Sequence, residues 1–309
     1  MTAIVRMPLL AWVGAITASV FLALWAWRSW HRSHFERRVT SRFPVGPHGI
    51  IPGAEPRALT VPEAHMGVVL LHGFGDTPQT LASLAERLRD DGFDVDVPLL
   101  PGHGRTLKEF ASSNGSEWLA AARAAHSEMR ARHTRVALVG LSLGGALAAT
   151  VAADDPELER LVLLAPYVDT PPLLRMLVRA APAIGAVLPY VGGDGSQSIL
   201  DPEAREQALA FGATTPQLVR ELVRVADTAR ASLARVKAPT LYVQSREDNR
   251  ITEDVARRAF AMLGAHTKKL ELLTGCGHVL TVDFCRERVA NLVSEWLTTA
   301  VTGNEKGTA

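Results

Sequence analysis

The chain has 309 residues, 47% of them hydrophobic and 21% charged. That length leaves room for one large α/β core beyond an N-terminal segment. A formal net charge of +1 and only two cysteines exclude a nucleic-acid-binding signature over the whole chain and a cysteine-built metal site.

From Met7 to Trp27 no residue is charged, and that length crosses a bilayer as a helix. Trp12 lies inside one end, while Trp25, Trp27 and Trp30 cluster at the other, as interface anchors do. The rival reading is a cleavable signal peptide, for which Trp25-Ala26-Trp27-Arg28 is a poor cleavage site. Arg6 precedes the span; Arg28, Arg32, Arg37, Arg38 and Arg42 follow it, opposed by Glu36. The positive-inside rule then puts the rest of the chain on the cytoplasmic side, with the opposite orientation as the alternative. Residues 1–43 therefore read as an anchor with a basic juxtamembrane segment. Residues 44–65, rich in Pro and Gly, read as a linker with one short edge strand near Leu59.

Six β-type runs follow, at Gly67, Asp94, Arg135, Arg160, Thr240 and Lys268. Helical patterns separate most of them: Leu81 to Arg89, Glu117 to Arg132, Ala146 to Asp154, Thr252 to Leu263 and Arg286 to Ala300. Thr77-Pro78 and Ser116 are helix-start signals, and Gly92 and Gly264 are stops. Such alternation predicts a mainly parallel sheet with helices on both faces. The interval from Pro166 to Pro239 breaks the rhythm. It is helical, lacks a convincing strand and is too long for an ordinary connection. The main domain is read as 66–300 with an insertion at 167–238, and 301–309 as a frayed tail. Asp169, Asp194 and Asp201 receive no role.

The chemistry centres on Gly140-Leu141-Ser142-Leu143-Gly144-Gly145, between a strand and an alanine-rich helix. A serine flanked by glycines there reads as a nucleophile elbow, which lifts the hydroxyl out of the sheet. Alone, the pentapeptide could equally be a βα turn with a serine N-cap. Its partners come in the order acid, then base. The strand from Thr240 ends in Arg246-Glu247-Asp248-Asn249, where Asp248 is the candidate acid and Glu247 its competitor. The strand from Lys268 ends in Thr274-Gly275-Cys276-Gly277-His278, placing His278 past a strand's C-terminal end. His278 would take the Ser142 proton, and Asp248 would hold the imidazole tautomer. Backbone N–H groups of Leu143, after the nucleophile, and Phe74, in His72-Gly73-Phe74-Gly75-Asp76, would form an oxyanion hole. His72 is assigned to loop hydrogen bonding rather than catalysis. Pro101-Gly102-His103-Gly104 is assigned to ordering a second loop.

These residues together resemble the α/β-hydrolase superfamily, and within it the bacterial carboxylesterases and monoacylglycerol lipases of the serine aminopeptidase-like family. The likeness runs from about Met66 to Leu297 and includes Ala238-Pro239-Thr240 and the run from Gly277 to Asp283. It implies an α/β-hydrolase fold, a Ser142, Asp248 and His278 triad, and carboxylic ester hydrolysis through an acyl-enzyme. It also implies that the insertion is a cap, with Leu173, Leu177, Ile184 and Leu188 as an acyl-binding wall; the same leucines could instead form the cap's own core. The expected substrate is a lipid-like ester, such as a monoacylglycerol, reached beside the membrane. A thioesterase or aminopeptidase-like amidase on the same triad, or a non-catalytic lipid-binding scaffold tethered to the membrane, are the alternatives. No cofactor, metal or nucleic acid is expected. Cys276 and Cys285 read better as unpaired thiols of a reducing compartment than as a disulfide.

Overall fold

A computed structural model describes residues 9–192 and 198–299. Arg6, Asp194 and the tail expected at 301–309 lie outside the described residues. The first helix, α1 (Leu9–Arg42), is followed by β1 (Arg57–Leu59), β2 (Gly67–Leu71), α2 (Ala82–Asp90) and β3 (Asp94–Val97). Next come α3 (Leu107–Ser112), α4 (Gly115–Arg132), β4 (Val136–Leu141), α5 (Leu143–Asp154) and β5 (Arg160–Leu164). The insertion contributes α6 (Pro172–Leu177), α7 (Ala181–Val187), β6 (Val191–Gly192), α8 (Pro202–Gln207), β7 (Ala213–Thr214) and α9 (Pro216–Ser232). The chain closes with β8 (Thr240–Ser245), α10 (Glu253–Met262), β9 (Lys268–Leu273) and α11 (Arg286–Thr298).

Seven strands form one sheet in the order β1-β3-β2-β4-β5-β8-β9. Only β1 runs antiparallel, against β3; every other pairing is parallel. The central strands β2, β4, β5 and β8 are buried at every position. That is why their sequences are largely apolar, apart from Arg160 in β5 and Thr240, Gln244 and Ser245 in β8: helices cover both faces. One face carries a core built with α4, α5 and α9; the other packs α2 and α11. The fold is an α/β-hydrolase fold.

Three features depart from the sequence reading. First, the insertion is not helical throughout, since β6 and β7 form a short antiparallel ribbon. Second, its last helix packs into the main core. Leu218, Val225 and Ala229 of α9 belong to the main core beside α5, and Thr215 caps the helix by accepting from Leu218 N at 3.0 Å. Third, residues 44–65 are laid against the domain. Ile51 and Ala54 are buried, Ile51 N donates to Gly104 O at 2.8 Å, and Val61 N donates to Asp94 Oδ1 at 2.6 Å.

Helix α1 is long and apolar enough to cross a membrane. Its apolar half is bare: Phe21 is 71% exposed and Leu22 66%, so it is not a core helix. The helix continues past the uncharged span until Pro44, whose ring and missing N–H end it. The basic half docks on the insertion. Trp27 Nε1 donates to Val187 O at 3.1 Å, and the Arg28 guanidinium donates to Gly185 O and Ala186 O. Tyr190 OH donates to Glu36 Oε1 at 2.9 Å, and the Phe35 and Tyr190 rings stack. Val39 and Phe43, one at the end of α1 and one just beyond it, reach the main core.

Candidate active site

Ser142 sits between the last residue of β4 and the first of α5 with φ +53° and ψ −113°. Non-glycine residues rarely hold such a conformation, and it persists only where the surroundings enforce it. Here they do. A Cβ on Gly140 would fall 2.2 Å from Gly144 O, and one on Gly144 2.0 Å from Leu71 O. The chain can cross between β4, α5 and β2 only because both positions are glycine. The Ser142 backbone is pinned as well: its N donates to Leu164 O, and its O accepts from Ala146 N and Tyr167 N.

The hydroxyl of Ser142 donates to His278 Nε2 at 2.8 Å. His278 Nδ1 donates to Asp248 Oδ2 at the same distance, 2.8 Å. A carboxylate only accepts, so the proton is on Nδ1 and Nε2 is free to accept from serine. The Asp248 side chain is fully buried. Burial pushes its carboxyl up, but the His278 hydrogen bond and charge, with the N–H groups of Ile251 and Arg250, more than offset that. It therefore lies below the usual carboxylate range. Gln244, fully buried, donates to Asp248 Oδ2 at 2.8 Å and to Ile251 O at 2.9 Å. Glu247 is turned away: its Oε2 accepts from Ser245 Oγ and Gly275 N.

The loop after β2 lies against the serine. A Cβ on Gly73 would be 3.6 Å from Ser142 Cβ, which brings the loop that carries Phe74 beside the serine, while Leu143 follows the serine as the first residue of α5. His72 holds this loop: Nδ1 donates to Gly73 O at 3.0 Å, and Nε2 accepts from Leu100 N at 3.1 Å. Burial lowers its pKa to about 4, so the ring is neutral near pH 7. His103 is buried too, with Nδ1 3.0 Å from Pro101 O. Asp76, also buried, accepts from Thr80 Oγ1 and Thr77 N, each at 2.8 Å.

The cap residues fare differently. Leu173 and Leu177 are 64% and 46% exposed, and Ile184 and Leu188 are partly so. An aromatic cluster missed in the sequence builds on the loop after β2: Phe74, Phe110 and Trp118, with Phe211 against Phe110. Its signal was there in the glycine-spaced Phe74, but the partners are scattered over three elements. The expectation of unpaired thiols is overturned: Cys276 and Cys285 form a disulfide, S–S 2.04 Å. Nine residues apart, they are brought together by the turn that carries His278, a conformation that spacing alone does not reveal. Two of the three unassigned acids, the two within the described residues, are structural. Asp201 caps α8, and Asp169 pairs with Arg175 and Arg230. Among the described residues no cluster of metal-ligating side chains occurs.

Residues 62–284 match the family described as serine aminopeptidase, S33. A thermostable monoacylglycerol lipase of Bacillus sp. (strain H-257) is 28% identical over 80% of this chain and 93% of its own length. A carboxylesterase of Bacillus subtilis (strain 168) is 24% identical over 78% and 96%. Among solved structures, one from work on two metagenome-derived lipolytic enzymes, LipS and LipT, has 30% identity and a TM-score of 0.73, covering 80% of this chain and 98% of its own. The monoacylglycerol lipase of Paleococcus ferrophilus, 24% identical with a TM-score of 0.67 over 78% and 97%, shares the fold. The chain belongs to the serine aminopeptidase (S33) family of α/β-hydrolases and is an esterase- or lipase-like hydrolase.

Proposed function

We propose that the protein hydrolyses carboxylic esters bearing one lipid-like acyl chain, of the monoacylglycerol kind, through an acyl-enzyme on Ser142. The observation that carries this is the unbroken relay from Asp248 through His278 to Ser142, with two 2.8 Å links ending at a positive-φ serine. Ser142 Oγ attacks the ester carbonyl while His278 Nε2 takes its proton. The carbonyl oxygen, now negative, accepts from the N–H groups of Phe74 and Leu143. Collapse breaks the bond to the alcohol, which leaves with the proton from His278. Water then repeats the attack on the acyl group, giving its proton to His278, which returns it to Ser142 as the acid departs. Asp248, ionised throughout, stabilises the imidazolium between the two transfers.

The lipid-like substrate rests on the relatives named monoacylglycerol lipase. The bare apolar half of α1 and the exposed Leu173, Met176 and Leu177 on the cap add to it. We further infer that α1 is an uncleaved anchor that keeps the domain beside the membrane. Hydrolysis of p-nitrophenyl acyl esters and of a monoacylglycerol series tests the reading. Ser142→Ala is expected to abolish turnover of both; persisting turnover would show that another group attacks. Asp248→Asn is expected to lower kcat by about 10⁴-fold with binding largely kept, and Glu247→Gln to leave kcat near wild type. The reverse pattern would move the acid to Glu247.

A further inference from the structure

His278 lies on an irregular stretch between β9 and α11, the kind of segment that is ordinarily mobile. A base must be held within about 0.5 Å of its productive position. Asp248 orients the ring, but only if the backbone that carries the ring is fixed. The flanking backbone is fixed by the insertion's return leg, residues 198–201. Val279 N donates to Ser198 O at 3.1 Å. Gly277 N donates to Asp283 Oδ2 at 2.7 Å, and the same oxygen accepts from Leu200 N at 2.7 Å. The other oxygen, Oδ1, accepts from Asp201 N at 2.9 Å and from Phe284 N at 2.9 Å. Asp283 is fully buried. One carboxylate thus gathers four backbone N–H groups from the His278 turn and the return leg. The packing leaves no slack: a Cβ on Gly277 would fall 2.6 Å from Ser198 O and 3.3 Å from Asp283 Oδ2.

The return leg also reaches the acid's loop. Ser198 Oγ donates to Asn249 Oδ1 at 3.3 Å and accepts from Arg250 Nε at 3.0 Å, while Arg250 N donates to Asp248 Oδ1 at 2.7 Å. Four residues of the insertion therefore link the turns carrying the base and the acid.

We propose that Asp283 is a positioning residue for the reaction: by bonding Gly277 and the return leg at once, it sets where His278 stands between Ser142 and Asp248. The inference rests on the reading of Ser142 and His278 given above. Asp283 touches no substrate. It acts because a buried carboxylate with four donors cannot shift without leaving some of them unpaired, which costs about 1–3 kcal/mol for each orphaned group. The chain thereby makes the geometry of its base depend on the seating of its insertion.

The test is Asp283→Asn in the full-length protein. An amide has one acceptor oxygen, and its NH2 faces two N–H donors, so half the node is lost with little change in volume. Reactive serines are counted by end-point titration with a fluorophosphonate, and p-nitrophenyl butyrate turnover is divided by that count. Turnover per reactive serine is expected to fall about 10²-fold, with KM little changed. A residue that served only stability would lower the count or the melting temperature and leave turnover per serine at the wild-type value; that result overturns the proposal. Should the variant not fold, amide hydrogen exchange on the wild-type protein decides. Gly277, Leu200 and Asp201 are expected to be protected and to open at one common rate. Unprotected Leu200 and Asp201 beside a protected Gly277 would mean no shared node. Ser142→Ala assayed in parallel separates the two ideas: activity surviving there defeats the catalytic reading, whereas a dead Ser142→Ala with an unimpaired Asp283→Asn defeats only this inference.

Discussion

Two buried side chains on the loop after β2 titrate in opposite senses. Burial lowers His72 from the ordinary 6.5 to about 4. Burial raises Asp76 from 3.8 to about 6, despite the Thr80 and Thr77 donors and the nearby His278. Between about pH 4 and 6.5 an unfolded His72 binds a proton that the native one refuses, so acidification costs stability. Between about pH 4 and 6 a native Asp76 keeps a proton that the unfolded one releases, so acidification adds stability. Each effect amounts to about 3 kcal/mol, and over the shared window they oppose each other. His103, pushed well down by burial and by neighbouring His72, adds to the histidine side. Asp76→Asn should keep the turn that follows Phe74 while removing the compensating titration. Urea unfolding at pH 4.5 and 6.5 is expected to show a larger acid destabilisation in the variant than in the wild type, where Asp76 offsets part of the histidine cost. Equal pH dependence in both proteins would mean that Asp76 is ionised across the whole range.

At the scale of elements, the turn between β4 and α5 tolerates no side chain where it crosses β2. Gly144→Ala would drive a methyl into Leu71 O at 2.0 Å and His72 O at 2.7 Å, both backbone atoms of the sheet that cannot step aside. Overpacking of that kind costs at least about 1–3 kcal/mol, and the melting temperature should fall by several degrees. Gly185→Ala is the control. Its Cβ would meet only Pro216 Cγ, at 4.0 Å, and in α7 the change should be neutral or stabilising by about 0.4–1 kcal/mol. Similar losses at both sites would show that crowding is not what makes Gly144 glycine. The same sterics made this turn legible from sequence: close backbone crossings need glycine, and buried parallel strands are largely apolar, so β2, β4, β5 and β8 were readable. The return leg was not. Asp283 closes the run from Gly277 that carries part of the resemblance, but its role is not readable there, because nothing local says that two of its partners lie some 80 positions earlier. Gln244 was hidden for a related reason, lying inside a strand whose apolar neighbours define the pattern. Helix α9 reads as insertion because its apolar stripe does not say which surface it meets.

For the molecule as a whole, if α1 anchors the domain as proposed, the side of the membrane that the domain faces turns on two features that point in opposite directions. The arginines after the apolar span favour the cytoplasm, but that count overstates what lipid headgroups would meet. Arg28 is committed to carbonyls of α7, and the residues around it dock on the insertion through Trp27 and Glu36. The Cys276–Cys285 disulfide, by contrast, persists only where the compartment is oxidising. It closes the short loop that carries His278 and Asp283, a constraint worth about 2–3 kcal/mol in a loop of that length. We therefore expect the domain to face an oxidising compartment. Cells quenched in acid and treated with a maleimide under denaturing conditions should give full-length protein carrying no tag, and two tags only after prior reduction. Two tags without reduction would return the domain to the cytoplasmic side. Reduction of the purified wild type should then loosen the His278 turn while sparing the sheet. Ester turnover is expected to fall at temperatures where the circular dichroism of the fold is unchanged, because the turn and the sheet are held by different bonds.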